Sequence, residues 1–284
     1  MRAGIEDEAR RGQSLGVEFI YRPVPKLGEN EKHQVTALLR EKLNAVVIVP
    51  GNPRVVAPLI DRAEASGVRV VCVSTDTPLS CRSTVVCVNP ELNGRLAAEL
   101  MAKFVPPQAD VAIITGMLAT EDHRKKIEGF QMGFSAYSAG GRVVAVFEAH
   151  ESEEESYKKT YELLVREKQL CGIYVNTVNC LPVCRAVHEH GRSRQLRLIT
   201  TDLFQQMVPL LQKCKSECQE KTGVPVLISG IRIRNSVVFH YRKLRYSERR
   251  KSSTCCCCVL FKPLNAPTEP QASLGGTTEV VIMQ

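Results

Sequence analysis

The chain has 284 residues, 44% hydrophobic and 24% charged, a composition that suits a globular protein with one or two cores. No stretch offers the roughly 20 uncharged apolar residues of a membrane helix, and the charged opening MRAGIEDEARR does not read as a secretory signal peptide. The net charge of +8 is local: residues 213–251 hold 11 Lys/Arg and 3 Asp/Glu, which leaves 27 of each sign elsewhere, so the body itself is not basic.

Short apolar runs rich in Val and Ile recur at 17–21, 45–49, 69–73, 83–88, 110–115, 142–147, 171–175 and 196–200. They are apolar on both parities, as strands covered on both faces should be. Amphipathic helical stretches alternate with them at 31–42, 54–66, 91–104, 121–138, 153–168 and 205–213. Gly67 and Gly191 stand where helix C-caps belong, Pro182 suits the first turn of a helix starting near Asn179, and the acidic run 153–156 suits a positive helix N-terminus. Strand and helix alternating with short connections predict an α/β fold on parallel sheets. The strand count and the interruption at Pro106-Pro107 predict two Rossmann-like lobes, residues 1–104 and 105–228, with one more strand in VPVLISGIRI. Beyond that the pattern decays, and 229–284 reads as a disordered, basic, Cys-rich tail.

Twelve cysteines in a chain of this length point to a reducing compartment, hence a cytoplasmic protein. Cys72, Cys87 and Cys171 fall in strand-like runs, where a thiol packs as a small hydrophobe. Cys180, Cys184 and His188 share a helix face, which packing explains better than zinc. No metal or cofactor is expected.

Ligands of open α/β sheets bind beyond the carboxyl ends of the strands. Those ends carry Asn52, Asp76, His123, Lys126, Asn176, Asn179 and Asp202. A carboxylate accepts from two neighbouring hydroxyls and an asparagine amide both donates and accepts, so the set suits a polyhydroxylated ligand. Each Asp or Asn taken singly also suits a helix cap. No P-loop, G-x-G-x-x-G or G-x-S-x-G accompanies them, and no nucleophile stands beside Asp122 and His123, so an enzyme is not expected.

The order of GIEDEARRGQSLGVEF, AVVIVPGNP, the strand ending in Asp76, NGRLAAELM and KIEGF resembles the periplasmic-binding-protein-like (type 1) family over residues 1–212, and most of all the effector domains of lactose/galactose-repressor-type regulators. The resemblance implies a ligand cleft between the lobes. It implies sugar contacts from Asp76, Asn176 and Asp202, and a contact from Lys126 where the family often carries Arg. It also implies a small sugar-like effector, a homodimer in the intact protein, and operator DNA reached only through an N-terminal module that this chain lacks. The main expectation is therefore the effector-binding domain of a cytoplasmic transcriptional regulator. The other reading is the periplasmic solute-binding protein of a sugar importer.

Two departures from the family carry their own expectations. Its first strand would precede residue 1, which would leave lobe one with an open edge. A one-base shift would let the codons of ISGIRIRN (228–235) read YQRYPDSQ, similar to the family's C-terminal Gln-x-Pro-x-x-Gln-Gly segment, so the tail is expected to be out of frame.

Overall fold

The computed structural model describes residues 2–13, 16–24, 26–201, 206, 226–228, 238–239 and 278–283. They form two compact units, Met1–Val88 with Ile233–Gln284, and Asn89–Arg232.

Unit 1 begins with α1 (Arg2–Gln13) and continues β1 (Val17–Arg22), α2 (Glu31–Leu38), β2 (Ala45–Ile48), α3 (Pro53–Ala65), β3 (Arg69–Val73) and β4 (Thr84–Cys87). Unit 2 holds α4 (Pro90–Phe104), β5 (Asp110–Thr115), α5 (Glu121–Tyr137), β6 (Arg142–Glu148), α6 (Glu153–Arg166), β7 (Leu170–Val175), α7 (Cys180–Glu189), β8 (Arg197–Thr200) and β9 (Val226–Ile228). The last strands, β10 (Val238–Phe239) and β11 (Thr278–Met283), belong to unit 1.

Local chemistry explains most boundaries. Asn52 and Asn89 cap α3 and α4 by accepting from the Arg54 and Leu92 amides, and each is followed by a proline whose missing N–H costs nothing in a first turn. Ser152 caps α6 above Glu153, Glu154 and Glu155, which favour the positive end of the helix dipole. Gly67 (φ 85°) and Gly191 (φ 73°) take the left-handed conformation after α3 and α7 that their positions called for. Cys180 packs with Val183 and Val187 in the core while His188 is exposed, so that helix face is split between packing and solvent.

The sheet of unit 2 runs β6-β5-β7-β8-β9, every neighbouring pair parallel. VPVLISGIRI does supply the further strand, with Leu198 beside Val226 and Thr200 beside Ile228. Apolar clusters cover both faces: one around Leu163, Ile173 and Val187, the other around Met101, Phe130, Phe134 and Tyr174. Phe130 stacks on Tyr174 at 4.6 Å between ring centroids.

The α4 helix was expected in the first lobe but packs in unit 2. A methyl at Gly94 would overlap the Lys126 carbonyl, and one at Gly129 would overlap the Glu91 carbonyl. Two glycines thus let α4 and α5 touch backbone to backbone, which moves the division from residue 104 to Val88/Asn89.

The sheet of unit 1 runs β1-β11-β2-β3-β4-β10 and corrects a second expectation. The slot between β1 and β2 is not an open edge. β11 fills it in parallel register on both sides, Phe19 beside Val280 and Val46 beside Val281. A segment read as disordered tail supplies a central strand, and β10 adds an antiparallel strand to β4. Filling the slot satisfies the backbone donors and acceptors that an interrupted ladder would leave bare.

Candidate functional site

Within unit 2 the carboxyl ends of β5, β7 and β8 carry buried polar residues: Thr115, Asn176, Thr177, Asn179, Thr200 and Thr201. Strand pairing aligns them. The Asn176 amide donates to the Ile114 carbonyl (3.0 Å) and the Thr201 amide to the Val175 carbonyl (3.3 Å).

The first two turns of α5 add Asp122, His123 and Lys126, each about nine-tenths buried. Lys126 Nζ lies 2.6 Å from Asp122 Oδ2, one helical turn away, so the buried cation is neutralised locally. His123 Nδ1 accepts from the Met117 amide at 2.9 Å, and its Nε2 lies 3.5 Å from Glu151 Oε1. Burial, only partly offset by Glu151 and Asp122, pulls the His123 imidazole below its ordinary range, so the ring is neutral at pH 7. Asn176 Nδ2 donates to the His123 carbonyl at 3.2 Å, joining β7 to α5.

Glu151 was not among the expected residues. Thr177 Oγ1 donates to its Oε2 at 2.7 Å, and its Oε1 faces His123. Its backbone takes φ 52° and that of His150 takes φ 49°, an uncommon conformation for residues with side chains. This pair of residues turns the chain between β6 and α6 and brings the carboxylate over Gly116, where a methyl would overlap Oε1. The sequence signal was weak: a glycine directly after β5, and a run of glutamates after β6.

Four polar atoms among these buried side chains have no hydrogen-bond partner among the described residues: Thr115 Oγ1, Asn176 Oδ1, Asn179 Nδ2 and Thr200 Oγ1. An unmet buried polar group costs about 1–3 kcal/mol. By contrast Arg192, also buried, donates to the Glu167 and Leu170 carbonyls at 2.9 and 2.6 Å and needs nothing further.

The expected residues therefore separate. His123, Lys126, Asn176 and Asn179 share one end of one sheet. Asn52 and Asp76 belong to unit 1, where each already has partners. The side-chain oxygen of Asn52 caps α3, and its backbone N–H donates to Glu31 Oε2 at 2.9 Å. Asp76 is ion-paired with Arg82, which reaches its Oδ2 at 2.7 Å, and accepts from the Thr77 amide at 2.7 Å. Asp202 lies outside the described residues.

A family model described as "Periplasmic binding protein domain" matches residues 1–219. A D-ribose/D-allose-binding protein of Pseudomonas aeruginosa is 23% identical over 185 residues, which are 63% of this chain and 57% of that protein. The chain thus spans little more than half the length of that curated relative. Among solved structures, a glucose-galactose binding protein from Geobacillus stearothermophilus superposes with a TM-score of 0.69 at 21% identity, over 84% of this chain and 91% of that one. An ABC transporter solute-binding protein from Burkholderia graminis, in complex with D-arabinose, gives 0.67 at 22% identity, over 82% and 88%.

These findings agree with the α/β fold on parallel sheets and overturn the regulator reading. The similar proteins are sugar-binding and ABC-transporter solute-binding proteins, not effector domains. The expectations of operator DNA, a regulator homodimer and a cytoplasmic location rested on that reading or on cysteine number, and they fall with it. Cysteine number is a weak guide to compartment when thiols serve as core residues: Cys72 and Cys180 are buried, and burial pushes the Cys72 thiol up to about 11.

Proposed function

We propose that this chain, which belongs to the periplasmic binding protein domain family, binds a small polyhydroxylated molecule of the sugar class and presents it to an ABC importer outside the cytoplasm. Binding is the activity, as the family's description implies.

One observation carries the reading. Two hydroxyls, an amide oxygen and an amide N–H are buried without partners at neighbouring strand ends of unit 2. A polyol supplies both donors and acceptors, whereas an apolar ligand would leave all four groups unmet. The similar proteins from Pseudomonas, Geobacillus and Burkholderia support the class of ligand. The choice among sugars follows from His123, Lys126, Asn176, Asn179 and their neighbours in unit 2.

Calorimetric titration of the full chain against neutral pentoses and hexoses tests the reading. At least one sugar binds, and Asn176→Ala weakens it about tenfold, the equivalent of ~1.4 kcal/mol. Failure of every sugar to bind a folded chain overturns the proposal.

A further inference from the structure

The polar cluster of unit 2 carries a charge that its internal pairing does not cancel. Lys126 is consumed by Asp122 at 2.6 Å. His123 is neutral at pH 7 because burial disfavours its charged form. That leaves the Glu151 carboxylate, whose side chain is 13% exposed and whose described partners, Thr177 Oγ1 and His123, are both uncharged. The neighbouring acid Glu148 is engaged elsewhere, accepting from the Leu118 amide at 2.7 Å.

Holding Glu151 there is costly in two ways. Consecutive left-handed backbones at His150 and Glu151 are strained for residues with a Cβ, and Gly116 is the only residue type that leaves room for the carboxylate. A core that needed only packing would favour neither. The carboxylate's partners tie it to the polar strand ends: Thr177 follows Asn176 directly, and Asn176 Nδ2 donates to the carbonyl of His123. Those strand ends carry the unpartnered Thr115 Oγ1, Asn176 Oδ1, Asn179 Nδ2 and Thr200 Oγ1, each on a side chain more than nine-tenths buried.

We infer that Glu151 is a specificity-determining ligand contact that selects on charge, admitting neutral and amino sugars and rejecting uronic acids and sugar phosphates. This rests on the sugar-binding reading above and goes beyond it by naming which sugars are excluded. The carboxylate accepts hydrogen bonds from ligand hydroxyls or an ammonium group. An anionic ligand entering the same buried site meets a like charge with little solvent screening and with the neighbouring cation already paired. Lys126, judged by type alone, would suggest the opposite preference.

The test measures ratios within stereochemically matched sets: D-glucose, D-glucosamine and D-glucuronate, and D-galactose, D-galactosamine and D-galacturonate, titrated into the full chain at pH 7. The wild type binds the neutral or amino member at least tenfold more tightly than the uronate. Glu151→Gln brings that ratio to within about threefold, while Glu151→Asp, which keeps the charge, retains it. Because each ratio is taken on one protein sample, partial unfolding of a variant does not alter it. A wild type that binds uronates as well as neutral sugars overturns the inference and leaves the sugar-binding reading standing. So does a Glu151→Gln ratio equal to that of the wild type. A folded wild type that binds no member of either set overturns the inference, and one that binds no neutral pentose or hexose at all overturns both.

Discussion

Gly116 and Glu151 are mutually dependent: the missing side chain of the first is the space occupied by the carboxylate of the second. Gly116 is not among the glycines with positive φ, so alanine is tolerated by the backbone and refused only by the neighbour. Gly116→Ala therefore displaces Glu151 and crowds His123, whose ring also borders the missing methyl. A loss of about 1–3 kcal/mol in chemical denaturation is expected from the overpacking, together with at least tenfold weaker sugar binding in titration. A variant with wild-type affinity would show that Glu151 has no part in the site.

The contact between α4 and α5 predicts an ordering of glycine substitutions. At Gly129 an added methyl meets the Glu91 carbonyl, a backbone atom that cannot swing aside. At Gly67 nothing lies nearby, and only the left-handed φ of 85° opposes a side chain. Gly67→Ala should cost about 1–2 kcal/mol, and Gly129→Ala clearly more, about 3 kcal/mol or above. Thermal denaturation of the two variants checks the order. Because Gly129 sits in the helix that carries His123 and Lys126, its substitution should also weaken ligand binding.

His123 sets a pH dependence whose sign follows from burial. Its imidazole is held below the ordinary value of 6.5, so the unfolded chain binds more protons than the folded one just below that pH. Stability is fully present above about 6.5 and declines as pH falls toward and through the lowered folded value. Glu31 works in the opposite sense at lower pH. Burial raises its carboxyl despite the Gly51 and Asn52 amides it accepts, so its contribution fades as pH rises through the raised value. Denaturant titrations between pH 7.5 and 5.5 should show a decline that His123→Gln makes shallower. An unchanged slope would mean that His123 is not the group being protonated.

Strand β11 predicts that the end of the chain is structural. Both its edges are paired, with Val17–Arg22 on one side and Ala45–Ile48 on the other. A proline at Val281, which faces Ile20 and Val46 across the two ladders, removes a donor from the middle of the sheet. Val281→Pro, or a chain ending at residue 277, should lose solubility and the exchange protection of the β1 and β2 amides. Hydrogen exchange followed by mass spectrometry reads both strands directly. Protection that survives either change would mean that the slot does not depend on β11.

The alternation of strands and helices, the cap at Asn52, the acidic start of α6 and the glycines at 67 and 191 were all legible in the sequence, because each depends on residues within one turn or one strand. The grouping of His123, Lys126, Asn176 and Asn179 was legible for a related reason: parallel strands place their carboxyl ends together whatever the details of packing. Tertiary structure alone decided the rest. The side-chain oxygen of Asn52 accepts from the Arg54 amide and the carboxylate of Asp76 pairs with Arg82, partners that residue type alone does not announce. Glu151 reaches His123 and Thr177 only through a strained turn and the space left by Gly116 after β5. TEVVIM becomes a central strand only because β1 and β2, more than 200 residues earlier, leave a slot of its length. Local propensity cannot encode such choices, since their energy lies in contacts between residues that the sequence holds far apart.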